Sequence, residues 1–232
     1  MTSYLFEPHP RPAAAVLGES AAFPVHRIFC VGRNYAEHAK EMGFQVDREA
    51  PFYFLKSATT LVPSGETIPY PPGTDNFHHE MELVFAIGRE GFRIDRGHAL
   101  DHVYGYACGL DMTRRDLQLA SREKGRPWDF GKDFERSAVM GPITRAEAFG
   151  APSGRVIELT VNGETRQKAN LDDLVWKVDE IVAHLSGYYR LQPGDLIFSG
   201  TPAGVGPVVA GDSLRGTIDG LEPVELTIGP AE

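Results

Sequence analysis

Apolar and polar residues alternate along several short stretches of the chain, a pattern typical of half-buried β-strands. The pair Asn162-Gly163 is a strong hairpin signal, because both residue types tolerate a positive φ angle. Together these segments predict a mixed α+β fold dominated by strands. The predicted strands are 26–31, 52–55, 81–87, 103–112, 156–162, 164–168, 196–199, 213–218 and 224–228.

Three other segments are predicted to be helical, and the third of them has apolar residues at helical spacing. Residues 35–42 are predicted to form a short helix with Asn34 as its N-cap, and residues 113–124 to form a second helix. A third helix is predicted over residues 172–185. Proline and glycine residues between positions 63 and 74 predict turns there.

Length and charge limit the class of protein. The chain has 232 residues, and we expect residues 1–22 to form an N-terminal arm and residues 23–232 to form one catalytic domain. A net charge of −9 argues against nucleic acid or an anionic membrane as the main partner. No apolar stretch approaches the roughly 18 residues of a membrane helix. With no apparent signal peptide, a cytoplasmic location is expected.

Three acidic residues lie at the ends of two apolar segments. Glu80 and Glu82 open the strand predicted at 81–87, and a period of two places both carboxylates on one face. Asp111 is the only charged residue of the next apolar strand. Such an oxygen-rich cluster suits Mg²⁺ or Mn²⁺, and Ca²⁺ also accepts it. The alternative is that these carboxylates simply face solvent at a strand edge.

A second candidate is the pair formed by His38 and Glu41, three residues apart on the first predicted helix. Residues at this spacing lie on the same helix face. A carboxylate beside an imidazole fixes the tautomer and raises the basicity of the ring, as a general base requires. The alternative is a chance pair of charges on an exposed helix.

Further polar residues follow Asp111. One helical turn would bring Arg115 and Gln118 close to its carboxylate, and Lys132 lies in an aromatic segment that could desolvate it. Surface solvation is the alternative for these charges. The glycine-rich segment 200–206 lacks the Gly-Lys-Ser/Thr ending of a phosphate loop, so nucleotide binding is rejected. Its glycines let the backbone approach a ligand closely, and Thr201 adds a hydroxyl.

These segments occur in an order that resembles the short form of the fumarylacetoacetate hydrolase family, over most of the chain from Phe23 to Ile228. The resemblance implies a β-sandwich roll with a short lid helix, usually as a homodimer, and a divalent metal at the mouth. The segments that carry the resemblance are Gly32-Arg33-Asn34-Tyr35 with His38 and Glu41, His79-Glu80-Met81-Glu82-Leu83, Gly109-Leu110-Asp111-Met112-Thr113, and Gly200-Thr201-Pro202 through Gly206.

The resemblance also implies roles for individual residues. Residues 28–35 contain no carboxylate, so water is expected to complete a metal site of three carboxylates. By position, the metal ligands are Glu80, Glu82 and Asp111, the water-activating pair is His38 and Glu41, the groups that stabilise the oxyanion are Lys132 and Gln118, and the substrate contacts are Arg33, Lys56, Arg115 and Thr201.

The activity implied is hydrolysis of a C–C bond in a 1,3-diketo acid. The segment Gly125-Arg126-Pro127-Trp128 and the proline-rich arm are most similar to fumarylpyruvate hydrolases of gentisate breakdown, which form fumarate and pyruvate. Alternatives on the same scaffold are an acylpyruvate hydrolase, an oxaloacetate decarboxylase, or a keto-acid isomerase or hydratase. A non-catalytic metal-binding protein is a further alternative, although it would have no use for a poised His38–Glu41 pair.

Overall fold

The computed structural model describes residues 3–41, 43 and 48–232. The strands are β1 (Ala13–Ala14), β2 (Phe23–Pro24), β3 (Arg27–Gly32), β4 (Phe52–Lys56), β5 (Leu61–Pro63), β6 (Glu66–Tyr70), β7 (Phe77–His79), β8 (Met81–Ile87), β9 (Val103–Asp111), β10 (Thr113–Arg114), β11 (Ala138–Met140), β12 (Thr144–Arg145), β13 (Val156–Val161), β14 (Glu164–Asn170), β15 (Asp195–Phe198), β16 (Gly206–Pro207), β17 (Ser213–Ile218) and β18 (Val224–Ala231). The α-helices are α1 (Ala36–Glu41), α2 (Arg115–Glu123), α3 (Asp129–Lys132), α4 (Ala146–Phe149) and α5 (Val178–Ser186). Short 3₁₀ helices lie at Ala58–Thr60, Arg96–His102 and Leu171–Asp173.

Two large sheets form the fold. An eight-stranded sheet has the order β4-β3-β15-β8-β9-β11-β5, with β12 paired to β9 off this path. A five-stranded sheet has the order β14-β13-β17-β18-β6. The sheets approach closely where Gly216 lies against Met81, since a Cβ at position 216 would come within 2.3 Å of the Met81 sulfur. This is the strand-dominated α+β fold predicted from the sequence.

The central strand β8 is buried along its whole length, and its side chains alternate between two apolar clusters. Leu83 and Phe85 join the larger cluster, which is shared with the five-stranded sheet. Val84 and Ala86 join the smaller cluster, together with residues from the N-terminal arm. Because β8 is covered on both faces, it is almost continuously apolar in sequence, and charge enters only at its first residues.

Several predicted elements differ from the structure. The helix predicted over 113–124 begins at Arg115 as α2, because Thr113 and Arg114 pair with β7 as strand β10. The helix predicted over 172–185 begins only at Val178, because a 3₁₀ turn at Leu171–Asp173 precedes it and the backbone then runs beside the first helix. There the N–H of Val175 donates to the carbonyl of Asn34 at 2.8 Å. Turns lie at residues 64–65 and 72–73, within the turn-rich range predicted for 63–74, but residues 66–70 between them form β6, whose backbone pairs in parallel with β18.

Helix α1 begins at Ala36, one residue after its predicted start, and the predicted last residue, Met42, lies outside the described residues. The prediction that Asn34 caps this helix is wrong. Its Oδ1 accepts from the N–H of Trp176 at 2.7 Å, and its Nδ2 donates to the carbonyls of Trp176 and Ser199. Asn34 therefore joins the start of α1 to two distant loops.

The N-terminal arm is partly integrated into the fold. Strands β1 and β2 pair with each other, and Ala14 and Val16 are buried in the smaller apolar cluster. The N–H of Leu17 donates to the carbonyl of Ile143 at 2.9 Å. The domain boundary at residue 23 stays a prediction.

Candidate active site

Three buried carboxylates meet at one end of the central strands. One oxygen from each of Glu80, Glu82 and Asp111 lies within 4.8 Å of the others. Glu82 is the second residue of β8 and Glu80 immediately precedes that strand, whereas Asp111 is the last residue of the antiparallel neighbour β9. The two strands are joined there by the N–H of Asp111, which donates to the carbonyl of Glu80 at 2.9 Å. Period-two alternation thus brings together the predicted trio.

Among the described residues, three cationic side chains contact this cluster, and two of them, Lys132 and Arg115, contact Glu80. The ammonium of Lys132 donates to Glu80, Asp111 and Thr113, each at 2.7 Å. The guanidinium of Arg115 donates through Nη2 to the other oxygen of Glu80. Burial alone would raise the pKa of Glu80, but the charges of Lys132 and Arg115 outweigh burial and lower that pKa.

Glu82 has a different environment. Burial and the charges of Asp111 and Glu80 raise the pKa of Glu82 well above its usual range. The N–H of Gly200 donates to its Oε2 at 2.7 Å, and no salt bridge reaches Glu82 within the described part of the chain. Oδ1 of Asp111 is buried, and its contact with Nζ of Lys56 at 2.9 Å is an ion pair without hydrogen-bond geometry. An added cation would neutralise the Glu82 carboxylate, and an all-oxygen set of this kind suits Mg²⁺ or Mn²⁺.

Lys56 lies beneath the cluster rather than in the cavity above it. Its side chain is fully buried, and Nζ lies 2.9 Å from Oδ1 of Asp111. Nζ also donates to the carbonyls of Met112 and Lys132. The structure therefore does not bring Lys56 to the position of a substrate contact. The reason is that its strand, β4, directs this residue into the interior.

His38 and Glu41 form the predicted pair on α1. Nδ1 of His38 lies 3.1 Å from Oε2 of Glu41. The N–H of Gly204 is 3.2 Å from each carboxylate oxygen of Glu41, so the glycine-rich segment holds the far side of the pair. A proton on Nδ1 that is donated to Glu41 leaves Nε2 as the basic nitrogen of a buried ring.

The two helices after Asp111 pack closely enough to bring their polar residues together. Nη1 of Arg115 donates to Oε1 of Gln118 at 2.5 Å. Gly131 precedes Lys132 in α3, and a Cβ there would lie 2.7 Å from the backbone nitrogen of Gln118. Glycine at this position therefore allows α3 to deliver Lys132 to the carboxylates.

Nine of the eleven predicted site residues line one cavity, and Glu41 and Lys56 are the two that do not. Including the solvent at its mouth, the space is about 480 Å³. The lining residues are Val31, Gly32, Arg33, His38, Phe54, Glu80, Glu82, Asp111, Arg115, Gln118, Arg122, Trp128, Lys132 and Thr201.

Arg122 is a lining residue that the sequence analysis missed. It follows Arg115 and Gln118 at spacings of seven and four residues in α2, and helical periodicity could have revealed this stripe. Arg33 lines the same cavity, with its guanidinium 5.0 Å from the centre of the Phe52 ring. Burial and the charge of Arg122 lower the pKa of Arg33.

Thr201 lines the cavity, but its hydroxyl proton is directed into the protein. Oγ1 donates to the carbonyl of Met81 and accepts from Nε2 of Gln167, both at 2.8 Å. In this arrangement the hydroxyl proton is donated to Met81, and the substrate contact of Thr201 stays a prediction. Gln167 was also missed, because it lies in a segment of polar residues that carries no sign of burial.

Comparison with known families identifies the class of protein to which this strand-rich fold and its candidate divalent-metal site belong. Residues 27–229 match the model of the family described as fumarylacetoacetate hydrolase, C-terminal. The chain belongs to this family, as the order of its motifs had indicated. Among the described residues, no helix is long and apolar enough to cross a membrane.

Three individual relatives each cover more than four fifths of the chain. A fumarylpyruvate hydrolase of a Ralstonia species is 56% identical over 82% of this chain and 100% of its own. An oxaloacetate tautomerase of Escherichia coli is 38% identical over 85% of this chain and 90% of its own. The crystal structure of a fumarylpyruvate hydrolase from Pseudomonas aeruginosa, in complex with Mn²⁺ and pyruvate, superimposes with a TM-score of 0.95. It is 49% identical and covers 98% of this chain and 100% of its own.

Proposed function

We propose that the protein is a divalent-metal-dependent hydrolase that cleaves fumarylpyruvate, a 1,3-diketo acid, into fumarate and pyruvate. The observation that carries the proposal is the buried trio Glu80, Glu82 and Asp111 in one cavity with His38. The similarity to two fumarylpyruvate hydrolases supports the choice of substrate.

The carboxylate trio would hold Mg²⁺ or Mn²⁺, and the Mn²⁺ in the Pseudomonas aeruginosa structure supports a cation of this class. When bound, such an ion supplies Lewis acidity toward the oxygens of a 2-oxo acid. Lys132 and Arg115 keep Glu80 ionised for this role. Ca²⁺ would also accept an all-oxygen site.

His38 would act as the general base. Its Nε2 removes a proton from the water that attacks the distal carbonyl of the substrate. Glu41 accepts a hydrogen bond from Nδ1 and stabilises the imidazolium that forms. Gln118 uses its oxygen to accept from Arg115, which leaves its NH₂ group to donate to the developing oxyanion. Such a donor contributes about 3 kcal/mol to a barrier of this kind. Lys132 would stabilise the oxyanion through its charge, since its three N–H bonds already donate to Glu80, Asp111 and Thr113.

The second carboxylate of the substrate would be bound by Arg33 and Arg122. Both line the cavity, and the charge of Arg122 lowers the pKa of Arg33, as expected for two guanidinium groups that are close enough to share an anion. A guanidinium recognises a carboxylate through paired hydrogen bonds. This arrangement favours a diketo acid whose acyl end is itself acidic.

A spectrophotometric assay tests the proposal. Fumarylpyruvate should lose its diketo absorbance in the presence of Mn²⁺ or Mg²⁺, with fumarate and pyruvate formed in equal amounts. The chelator-treated protein is the matched control and should leave the absorbance unchanged. A metal-loaded protein that leaves fumarylpyruvate intact would contradict the proposal.

A tautomerase acting on oxaloacetate is the second candidate, favoured by the similarity to the Escherichia coli enzyme. Tautomerisation moves a proton but requires no attacking water. Faster decay of the oxaloacetate enol on adding protein, without fumarylpyruvate cleavage, would favour it. Release of carbon dioxide would favour the decarboxylase instead, and cleavage of acetylpyruvate in preference to fumarylpyruvate would favour an acylpyruvate hydrolase.

The proposed setting is gentisate-type breakdown of aromatic compounds, in which fumarylpyruvate is the substrate to be cleaved. The homodimer implied by the family resemblance and the cytoplasmic location expected from the sequence remain predictions. Light scattering during size-exclusion chromatography tests the first, because a dimer has twice the 25.5 kDa mass of the chain.

A further inference from the structure

The side-chain amide of Gln167 joins segments that are far apart in sequence. Gln167 is 1% exposed, although β14 is the edge strand of its sheet and is otherwise mostly exposed. Its Oε1 accepts from the N–H of Met81 at 3.0 Å and lies 3.1 Å from Nδ1 of His79. Its Nε2 donates to Oγ1 of Thr201 and to the carbonyl of Pro202, both at 2.8 Å.

The hydrogen-bond partners of Gln167 determine which end of its side-chain amide is the oxygen and which is the nitrogen. The N–H of Met81 can only donate, so the atom facing it is the oxygen of Gln167. The carbonyl of Pro202 can only accept, so the atom facing it is the nitrogen. Nδ1 of His79 must then carry the proton that it shares with Oε1. A buried amide with four partners is fully satisfied and specifies one arrangement of the groups around it.

Thr201 closes a ring of hydrogen bonds with Gln167 and Met81. The Thr201 hydroxyl accepts from Gln167 and donates to the carbonyl of Met81, whose N–H returns to Gln167. The backbone N–H and carbonyl of Met81 are thus both hydrogen-bonded within this ring. Met81 lies between Glu80 and Glu82, so a rotation of its peptide groups would displace both carboxylates.

We propose that Gln167 is a positioning residue that locks the spacing of Glu80 and Glu82 to the loop carrying Thr201. Gln167 does not line the cavity, so it acts through these neighbours. The same loop is also joined to Glu82 by the N–H of Gly200, at 2.7 Å. The inference rests on the proposed metal-binding role of the carboxylates.

Mn²⁺ titration of Gln167→Leu and Thr201→Val tests this inference. Leucine removes both ends of the amide, whereas valine removes the hydroxyl and keeps the shape of threonine. Each variant should raise the Kd for Mn²⁺ about tenfold or more, as is usual when the support of a metal ligand is lost. Since the two side chains belong to one ring of hydrogen bonds, their effects should not add. The Kd of the double variant for Mn²⁺ should not exceed that of the single variant that binds more weakly.

Lys168→Gln is the matched control, because Lys168 is an exposed residue of the same strand whose Nζ pairs with Glu158. Its Kd for Mn²⁺ should equal that of the wild type. Hydrogen–deuterium exchange of the metal-free proteins gives an independent readout. Gln167→Leu should accelerate exchange in residues 80–83 and 199–206, whereas the control should not.

Several outcomes would overturn the inference. One is a folded Gln167→Leu protein with a Kd within twofold of the wild type, and another is full additivity of the two substitutions. If Gln167→Leu does not fold, an unchanged Kd in Thr201→Val overturns the inference in the same way. A wild-type protein that fails to bind Mn²⁺ would refute the proposed metal site, and exchange in the metal-free variants would then decide the role of Gln167.

Discussion

Nδ1 of His38 lies 3.1 Å from Oε2 of Glu41, one helical turn later, and the ring of His38 lines the cavity that holds the carboxylates. The N–H of Gly204 restrains Glu41 from the other side. This relationship orients one imidazole nitrogen toward the carboxylate and leaves the other as a base. It places the candidate base on an element separate from the candidate metal ligands, so the two functions can be tested separately.

Replacing His38 by alanine should lower kcat for fumarylpyruvate by about 10²–10⁴-fold, the usual contribution of a general base. The Kd for Mn²⁺ should stay close to that of the wild type, because His38 lies outside the carboxylate trio. Glu37→Gln is the control, since Glu37 is exposed on the same helix and pairs with Lys40. Steady-state kinetics with unchanged turnover in His38→Ala would refute the assignment.

Replacing Glu82 by glutamine should abolish metal-dependent turnover and raise the Kd for Mn²⁺ by more than about 100-fold, beyond the loss typical of a supporting residue. The amide oxygen can still accept from Gly200, but the charge is gone. The metal-free variant should also resist urea better than the metal-free wild type, because burial and the charges of Asp111 and Glu80 disfavour a carboxylate at position 82 and an amide removes that cost. Wild-type activity that survives a chelator would contradict the metal requirement.

The parts of the fold that could be predicted from the sequence are those in which burial leaves a local pattern. Strands β8 and β9 are apolar along their length, and the carboxylates at their ends stand out for that reason. A spacing of two residues in a strand also places Glu80 and Glu82 on the same face, whatever the rest of the fold does.

The missed features depend on contacts between distant segments. Gln167 is buried among Met81, His79 and the loop of Thr201, and the polar sequence of its strand gives no sign of these contacts. Lys56 was expected in the cavity, but its direction depends on the pairing of β4 with β3. The start of α5 was misplaced because Leu174 and Val175 are buried without being helical, so their apolar character imitated another helical turn.

Replacing Lys56 by methionine should lower the free energy of unfolding by about 1–3 kcal/mol, since it removes one of the two ammonium groups that contact Asp111 and leaves two buried carbonyls without their donor. Urea denaturation measures this loss. Mn²⁺ should reduce it, because a bound cation gives Asp111 another counter-charge. Lys168→Met is the control, with an expected cost below about 1 kcal/mol for its exposed pair. Equal costs for the two variants would contradict the buried role of Lys56.

Replacing Arg122 by glutamine should raise KM for fumarylpyruvate about tenfold or more, because one hydrogen bond to a charged group contributes about 1.5–3 kcal/mol. KM for acetylpyruvate, which lacks the second carboxylate, should change little. Arg126→Gln is the control, since Arg126 is exposed and does not line the cavity. Steady-state kinetics with both substrates measures the two KM values and their ratio. A parallel rise in KM for the two substrates would show that Arg122 supports the cavity rather than binding the acyl carboxylate.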